Sequence, residues 1–272
     1  MKILCSTGAL IGRPNNRDYR LLEGLSKELT CDGFEFMMYS SWYDEMDDII
    51  SYLKGINIYI PVVHCEKHIG QAISAGTEEE LIRGFDLFEK NCCLAKELSA
   101  EKLVLHLWDG TISDSNFESN LNNCGKLMLM AKEYGLDLWI ENVVCNVKDP
   151  MTRWCQLTEK YPDIHFVFDT KMAAFHGQLN LLYKKDYEWL WKDGHICHYH
   201  INDYGGGIMD WANLRTLPIG KGNIDFDEFS GFLKKTEYAG MATVEATAFD
   251  GEGKVDVEML NDCFDKIRSW KI

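Results

Sequence analysis

Short apolar runs alternate with longer amphipathic segments from one end of the chain to the other. Runs with strand-like length and β-branched or aromatic content fall at 2–7, 33–38, 56–64, 102–108, 136–142, 164–170, 197–203 and 241–247. Between them, segments near 18–30, 43–54, 78–98, 116–134, 150–160, 178–191, 226–235 and 255–270 repeat apolar residues at helical spacing. Local chemistry marks several helix starts. Thr77 with Glu80, Ser115 with Glu118, and Asp225 with Glu228 stand at capping-box or related spacing. Asp149-Pro150 offers proline for a first helical position, and Gly135 supplies a stop after the fourth helical segment.

Strands separated by helix-length connections must run parallel. Eight strand–helix units in a chain of 272 residues predict an α/β fold, a closed (β/α)8 TIM barrel forming a single domain over 1–272. The competing architecture, an open doubly wound sheet, ordinarily carries a glycine-rich phosphate turn after its first strand. Gly8 and Gly12 do not make that pattern. No Pro/Ser linker or composition break marks a second domain.

The apolar runs end in a consistent way. Pro61-Val62-Val63 ends in His64, and Leu103-Val104-Leu105 ends in His106. Trp139-Ile140 ends in Glu141 and Asn142, and Val167-Phe168 ends in Asp169. The seventh run carries His198 and His200, then Asn202 and Asp203, and Thr243-Val244 ends in Glu245. Side chains alternate faces along a strand. If Ile140, Phe168, Tyr199 and Val244 face the helices, then Glu141, Asp169, His200 and Glu245 face inward. A barrel brings its C-terminal strand ends to one face, so these four converge. Three carboxylates in one mouth repel and take up protons unless a cation sits among them. Two glutamates, one aspartate and one imidazole form a hard, mostly oxygen donor set. It suits one divalent ion, Mn2+, Mg2+ or Co2+ first, with Zn2+ or Fe2+ behind them. Singly, each residue has an everyday alternative as a helix cap or solvated strand end.

Composition narrows the partners. Lys and Arg total 28 against 43 Asp and Glu, a formal net charge of -15. An acidic body repels phosphate backbones, which counts against nucleic acid as a partner. The ten cysteines scatter without C-x-x-C spacing, lacking both a disulfide framework and a zinc-ribbon pattern, and a reducing cytoplasm is the simplest compartment. The N-terminus reads as a strand rather than a signal peptide, and no apolar run is long enough to span a bilayer.

The pieces Trp139-Ile140-Glu141-Asn142, Phe168-Asp169-Thr170, His200-Ile201-Asn202-Asp203, Pro218 to Asp225 and Val244-Glu245, in this order, resemble the xylose isomerase-like TIM barrel superfamily. That superfamily is also described as AP endonuclease family 2 or the sugar phosphate isomerase/epimerase family, and the resemblance covers nearly the whole chain. Its ketohexose 3-epimerases imply that Glu141, Asp169, His200 and Glu245 are metal ligands and that Glu141 and Glu245 also transfer protons. His64 and His106 match histidines that bind a second metal in the AP endonucleases, and here they are candidates to face substrate. Two departures stand out. Met172 occupies a position where the multi-zinc endonucleases and many epimerases have histidine, and Leu214-Arg215-Thr216-Leu217 replaces an Asp-x-His. A trinuclear zinc site is therefore incomplete, whereas a mononuclear site keeps its four ligands. Lys171 or His176 could take over the missing histidine's grip on substrate.

The resemblance and the strand-end acids together imply a metal-dependent sugar or sugar phosphate isomerase/epimerase. Adjacent sugar oxygens would chelate the ion, and carboxylate proton transfer would proceed through a metal-stabilised enediolate. Trp108 could stack on a sugar face or simply pack, and Asn142 stands beside the site. Gly205-Gly206-Gly207 could form a lid or simply a long turn, and the backbone of Gly220-x-Gly222 could meet a phosphate or equally be a plain entry into the seventh helix. Glu35 is expected near the mouth or paired with a buried base, His165 and His198 as core histidines, and His68 and His195 as loop or surface residues. Rival readings are an AP endonuclease-like phosphodiesterase, a keto-inositol-type dehydratase, and a non-catalytic sugar-binding barrel. The expected partner is a small sugar or polyol, with no membrane; barrels of this superfamily often pair, which leaves room for a homo-oligomer.

Overall fold

The computed structural model describes residues 1–272. Eight strands, β1 (Lys2–Ser6), β2 (Gly33–Met37), β3 (Val62–His64), β4 (Lys102–Leu105), β5 (Asp137–Glu141), β6 (His165–Asp169), β7 (Ile196–Ile201) and β8 (Met241–Val244), close into one barrel in chain order. The strand pairings are parallel, including that of β1 with β8. This is the TIM barrel anticipated from the alternation of strand and helix patterns. The helices are α1 (Leu22–Glu28), α2 (Met46–Ile56), α3 (His68–Ala75), α4 (Glu78–Glu97), α5 (Phe117–Glu133), α6 (Pro150–Lys160), α7 (Thr170–Phe175), α8 (Trp189–Lys192), α9 (Phe226–Lys235) and α10 (Val257–Ser269).

By density of internal contacts the chain divides into two arcs. One is Met1–Glu35, Ile56–Tyr59 and Phe168–Ile272; the other is Phe36–Gly55 and Ile60–Val167. In the first, Tyr199 of β7 meets Phe229 of α9 edge-on, with centroids 5.6 Å apart. The odd-numbered side of β7 therefore faces the helices, and His198 and His200 face the interior. In the second, Trp154 of α6 stacks on Phe166 at 4.2 Å and 11°. That contact turns Phe166 and Phe168 outward and Val167 and Asp169 inward.

Helix ends follow the capping chemistry with one exception. Thr77 Oγ1 accepts from Glu80 N, Asp225 Oδ1 from Glu228 N, and Asp149 Oδ1 from Thr152 N ahead of Pro150. Gly135 takes φ +76° just past α5, as a left-handed stop requires. Ser115 does not cap α5; its N–H is spent on the Ile112 carbonyl in the preceding turn, and Asn116 is the residue before the helix. The segment 178–191 is not one helix. Lys184 is extended (φ -87°, ψ 140°) and separates the 3-10 turn Leu179–Tyr183 from Lys185–Tyr187 and α8. Tyr183 and Trp191 still both pack on Phe232 of α9.

Two short helices were not anticipated. Within α3, Gly70 lets the helix press against β4's end: a Cβ there would stand 1.9 Å from the His106 carbonyl oxygen. α7 is a six-residue turn capped by Asp169.

Candidate metal centre

Asp169 acts twice. Its Oδ1 accepts from Met172 N at 2.7 Å and so starts α7, while Oδ2 accepts from the Asn202 side-chain amide at 3.1 Å. The same amide reaches Glu245 Oε2 at 3.4 Å, and Asn202 Oδ1 accepts from Glu245 N at 2.9 Å. Thr170 fixes Asn202 in turn, accepting from its N–H at 2.9 Å and donating to its carbonyl at 2.6 Å. His200 Nδ1 lies 3.6 Å from Glu245 Oε2. One donor atom each of Asp169, His200 and Glu245 falls within 4.8 Å of the others. Asp169, His200 and Asn202 are fully buried; the Glu245 side chain keeps 13% exposure.

Behind His200 sits Glu35, on β2 and fully buried. Its Oε1 lies 3.1 Å from His200 Nε2, and its Oε2 accepts from Thr243 Oγ1 at 2.7 Å and lies 3.1 Å from His198 Nε2. Burial pushes the Glu35 carboxyl up, but the His200 and His198 imidazoles outweigh it and hold the group well below the usual carboxylate range. Burial pushes the His198 imidazole down. Glu35 and His198 thus match their expected pairing of an inward acid with a buried base.

A second group gathers on β3, β4 and β5. His64 Nε2 at 3.1 Å and His106 Nε2 at 3.0 Å both face one oxygen, Oε2, of Glu141. His64 Nδ1 faces the Cys65 carbonyl at 3.1 Å, and His106 Nδ1 faces Asp109 Oδ2 at 2.9 Å. The two rings meet edge-on at 4.9 Å. Burial opposes charge on His106, but the Glu141 and Asp109 carboxylates prevail and carry its imidazole up to about 9. Burial likewise opposes charge on Asp109, and His106 outweighs it, holding the carboxyl at about 2. The three residues have donor atoms close enough to share one ion. Asp109 escaped the sequence reading because it lies in the loop after β4, outside any period.

The loop after β7 decides between two readings of its glycine turn. The backbone N–H groups of the Gly220-x-Gly222 turn are taken by the protein's own anion. Asp203 Oδ2 accepts from Gly220 N at 2.9 Å and Gly222 N at 2.8 Å, and Oδ1 accepts from Tyr204 N at 2.8 Å and Ile224 N at 3.1 Å. A Cβ on Gly222 would stand 2.4 Å from Asp203 Oδ1, which explains glycine there. An internal carboxylate fills the place proposed for a phosphate. The triple glycine is tied down as well: Tyr204 OH donates to the Gly207 carbonyl and Asn223 to that of Gly205.

The remaining candidates separate. Trp108 is fully buried and packs edge-on against Phe117 of α5 at 5.7 Å, so its ring presents no face for a sugar. Asn142 is buried, and its backbone N–H extends the β5–β6 ladder to the Val167 carbonyl. Lys171 is mostly buried, with Nζ donating to Thr216 Oγ1 at 3.0 Å; His176 is half-buried against Phe175. His165 is not a core histidine but sits part-exposed at the start of β6, paired with Asp137 at 2.9 Å. His195 lies in the loop before β7, buried beside Trp189, whereas His68 is half-exposed and pairs with Glu66. A groove of about 740 Å³ lined by Leu129, Lys132, Leu136 and Tyr161 lies by the start of β5, away from Glu141 at that strand's end.

The donor set fits a divalent ion. Asp169, His200 and Glu245 bring two carboxylates and one imidazole into a buried space, an arrangement costly without a counter-charge. The 3.6 Å between His200 Nδ1 and Glu245 Oε2 exceeds a hydrogen bond. It is compatible with two ligands each about 2.1 Å from one ion.

Solved structures of the same architecture are numerous. A D-tagatose 3-epimerase-like protein superposes with TM-score 0.68 at 19% identity, covering 100% of this chain and 97% of that one. The D-allulose 3-epimerase from Methylomonas sp. in complex with D-allulose gives TM-score 0.71 at 15% identity, covering 99% and 96%. The probable 3-DHS dehydratase of petrobactin synthesis from Bacillus anthracis gives 0.69 at 13%, covering 98% and 99%. At such identities the likeness is one of fold. A comparison with curated proteins finds no match. The family description "xylose isomerase-like TIM barrel" matches residues 24–263. With the closed eight-stranded barrel and the acids at its strand ends, that match establishes that the chain belongs to the xylose isomerase-like TIM barrel family.

Proposed function

We propose that this protein is a divalent-metal-dependent isomerase or epimerase of a small sugar or polyol. In this reading Glu141, Asp169, His200 and Glu245 are the ligands, and Glu141 and Glu245 are the proton-transferring pair. The observation that carries it is the buried meeting of Asp169, His200 and Glu245, organised by one side chain, Asn202. Strand register supports Glu141 as the fourth member. Glu141 pairs with Val167, and Asp169 lies two residues further along the same face of β6. The same offset relates His200 to Glu245 through its partner Thr243. The oxygen-rich set favours Mn2+, Mg2+ or Co2+ over Zn2+ or Fe2+.

A bound divalent ion supplies Lewis-acid polarisation of adjacent substrate oxygens and favours negative charge beside it. One glutamate takes the carbon-bound proton and the other returns one, to the opposite face for epimerisation or to the neighbouring carbon for isomerisation. Glu245, the more exposed of the pair, works from the solvent side. His64 and His106 steady Glu141 and, with Asn142, Lys171 and His176, are the candidates to meet substrate. Because Asp203 occupies the glycine turn's N–H groups, an unphosphorylated substrate is favoured. No helix is long and apolar enough to cross a membrane, and ten free thiols fit a reducing cytoplasm.

A phosphodiesterase reading draws on the His64–His106–Glu141 group, which could hold a second ion. The net charge of -15 and Met172 weigh against it. The test is a screen of ketoses in D2O with the Mn2+-loaded protein, following exchange of carbon-bound hydrogen by NMR. Glu141→Gln and Glu245→Gln should each lower exchange about 10²- to 10⁴-fold. Full turnover in either variant would sink the assignment.

A further inference from the structure

We infer that Glu35 is a positioning residue that selects which nitrogen of His200 binds the ion. The inference rests on the metal reading of His200 and adds a residue that the reading does not use. An imidazole ligand must offer a lone pair on one nitrogen, and the partner of the other nitrogen decides which. For His200 the two sides are distinct: Nε2 lies 3.1 Å from Glu35 Oε1 and 3.2 Å from Oε2, whereas Nδ1 points towards Glu245 Oε2 at 3.6 Å. A carboxylate can only accept at Nε2, so the proton stays there and Nδ1 carries the lone pair. The carboxylate also makes the ring a stronger donor by sharing that proton.

Glu35 is itself fixed in place. Thr243 Oγ1 donates to its Oε2 at 2.7 Å, and His198 Nε2 lies 3.1 Å from the same oxygen and 2.8 Å from Thr243 Oγ1. Glu35, His198, His200 and Thr243 are all fully buried, so no water competes for the carboxylate. The strands impose the arrangement. Thr243 is the register partner of His200 on β8, and Glu35 pairs with Ser6 on β1, the strand on the other side of β8.

The experiment measures the ring directly before any ion is added. Long-range 1H–15N NMR of the metal-free protein, at a pH high enough to leave the ring neutral, should show His200 protonated at Nε2 and bare at Nδ1. Glu35→Gln, nearly isosteric, should mix or reverse that tautomer and weaken Mn2+ binding about 10- to 100-fold, the usual effect of losing such a partner. It should also alter the visible spectrum of the Co2+-loaded protein. Thr243→Val, which removes the hydroxyl that holds Glu35 Oε2 and leaves both nitrogens of His200 with their own neighbours, should fall between the two. Unchanged tautomer, affinity and spectrum in Glu35→Gln would overturn the inference. So would a wild-type His200 carrying its proton on Nδ1. A wild-type protein with the expected tautomer that binds no ion would instead defeat the metal reading, and the outcomes are distinct.

Discussion

Replacing Asp203 by Asn isolates what this carboxylate does in the loop after β7. The change keeps shape but leaves one acceptor oxygen where there were two. Four backbone N–H groups, of Tyr204, Gly220, Gly222 and Ile224, converge on Asp203 at 2.8 to 3.1 Å. In the variant two of them face an amide NH2. A hydrogen bond to a charged group is worth about 1.5 kcal/mol at the low end, so two lost bonds cost about 3 kcal/mol. For a chain of this size each kcal/mol lowers Tm by about 2–4 °C, which predicts a fall of about 6–12 °C. Asp203 also holds Leu217 by two backbone bonds and directly follows Asn202, the residue that organises Asp169 and Glu245. Mn2+ affinity should therefore fall along with stability. Thermal unfolding followed by circular dichroism, with Mn2+ titration of the folded variant, provides both numbers. A Tm within about 2 °C of the parent would mean that water or an external anion serves those N–H groups equally well, and would refute this account of the loop.

Other perturbations bear on the second group and its supports. His106 has a folded pKa raised to about 9, so its charged form contributes stability that is fully present below about pH 6.5 and lost as pH rises through about 9. That contribution is of order 3 kcal/mol, and urea unfolding of the metal-free protein between pH 6.5 and 9.5 should show it, with Asp109→Asn flattening the slope. Asp114 is fully buried, accepts from the N–H groups of Asn146, Val147 and Lys148, and pairs with Arg153 at 2.6 Å. Asp114→Ala leaves that arginine without its anion and should cost about 3–5 kcal/mol in urea unfolding; a cost below 1 would count against a buried pair there.

Much of the site was readable because a strand's period of two is short and strict. Once Phe166 and Tyr199 are taken as helix-facing, Asp169 and His200 must point inward, and their burial agrees. The everyday reading of Asp169 as a helix cap also holds, through Met172 N; the same carboxylate performs both tasks with different oxygens. What escaped lies where no period operates. Asp109 and Asp203 act from loops, and their partners are up to 21 residues away in the chain. α3 was hidden by Gly70, which looks like a helix breaker but is there because β4's end comes too close for a side chain. Trp108 stays open in the sequence because an aromatic at a strand end serves packing and binding equally well, and its burial against Phe117 decides for packing.

The central claim is that one divalent ion is held jointly by Glu141, Asp169, His200 and Glu245. The most direct measurement is an anomalous-difference map from a crystal soaked in Mn2+. The account predicts a single strong peak in contact with all four side chains, with His200 approaching through Nδ1. A peak held by His64 and His106 alone, or no peak among these residues at saturating Mn2+, would contradict it.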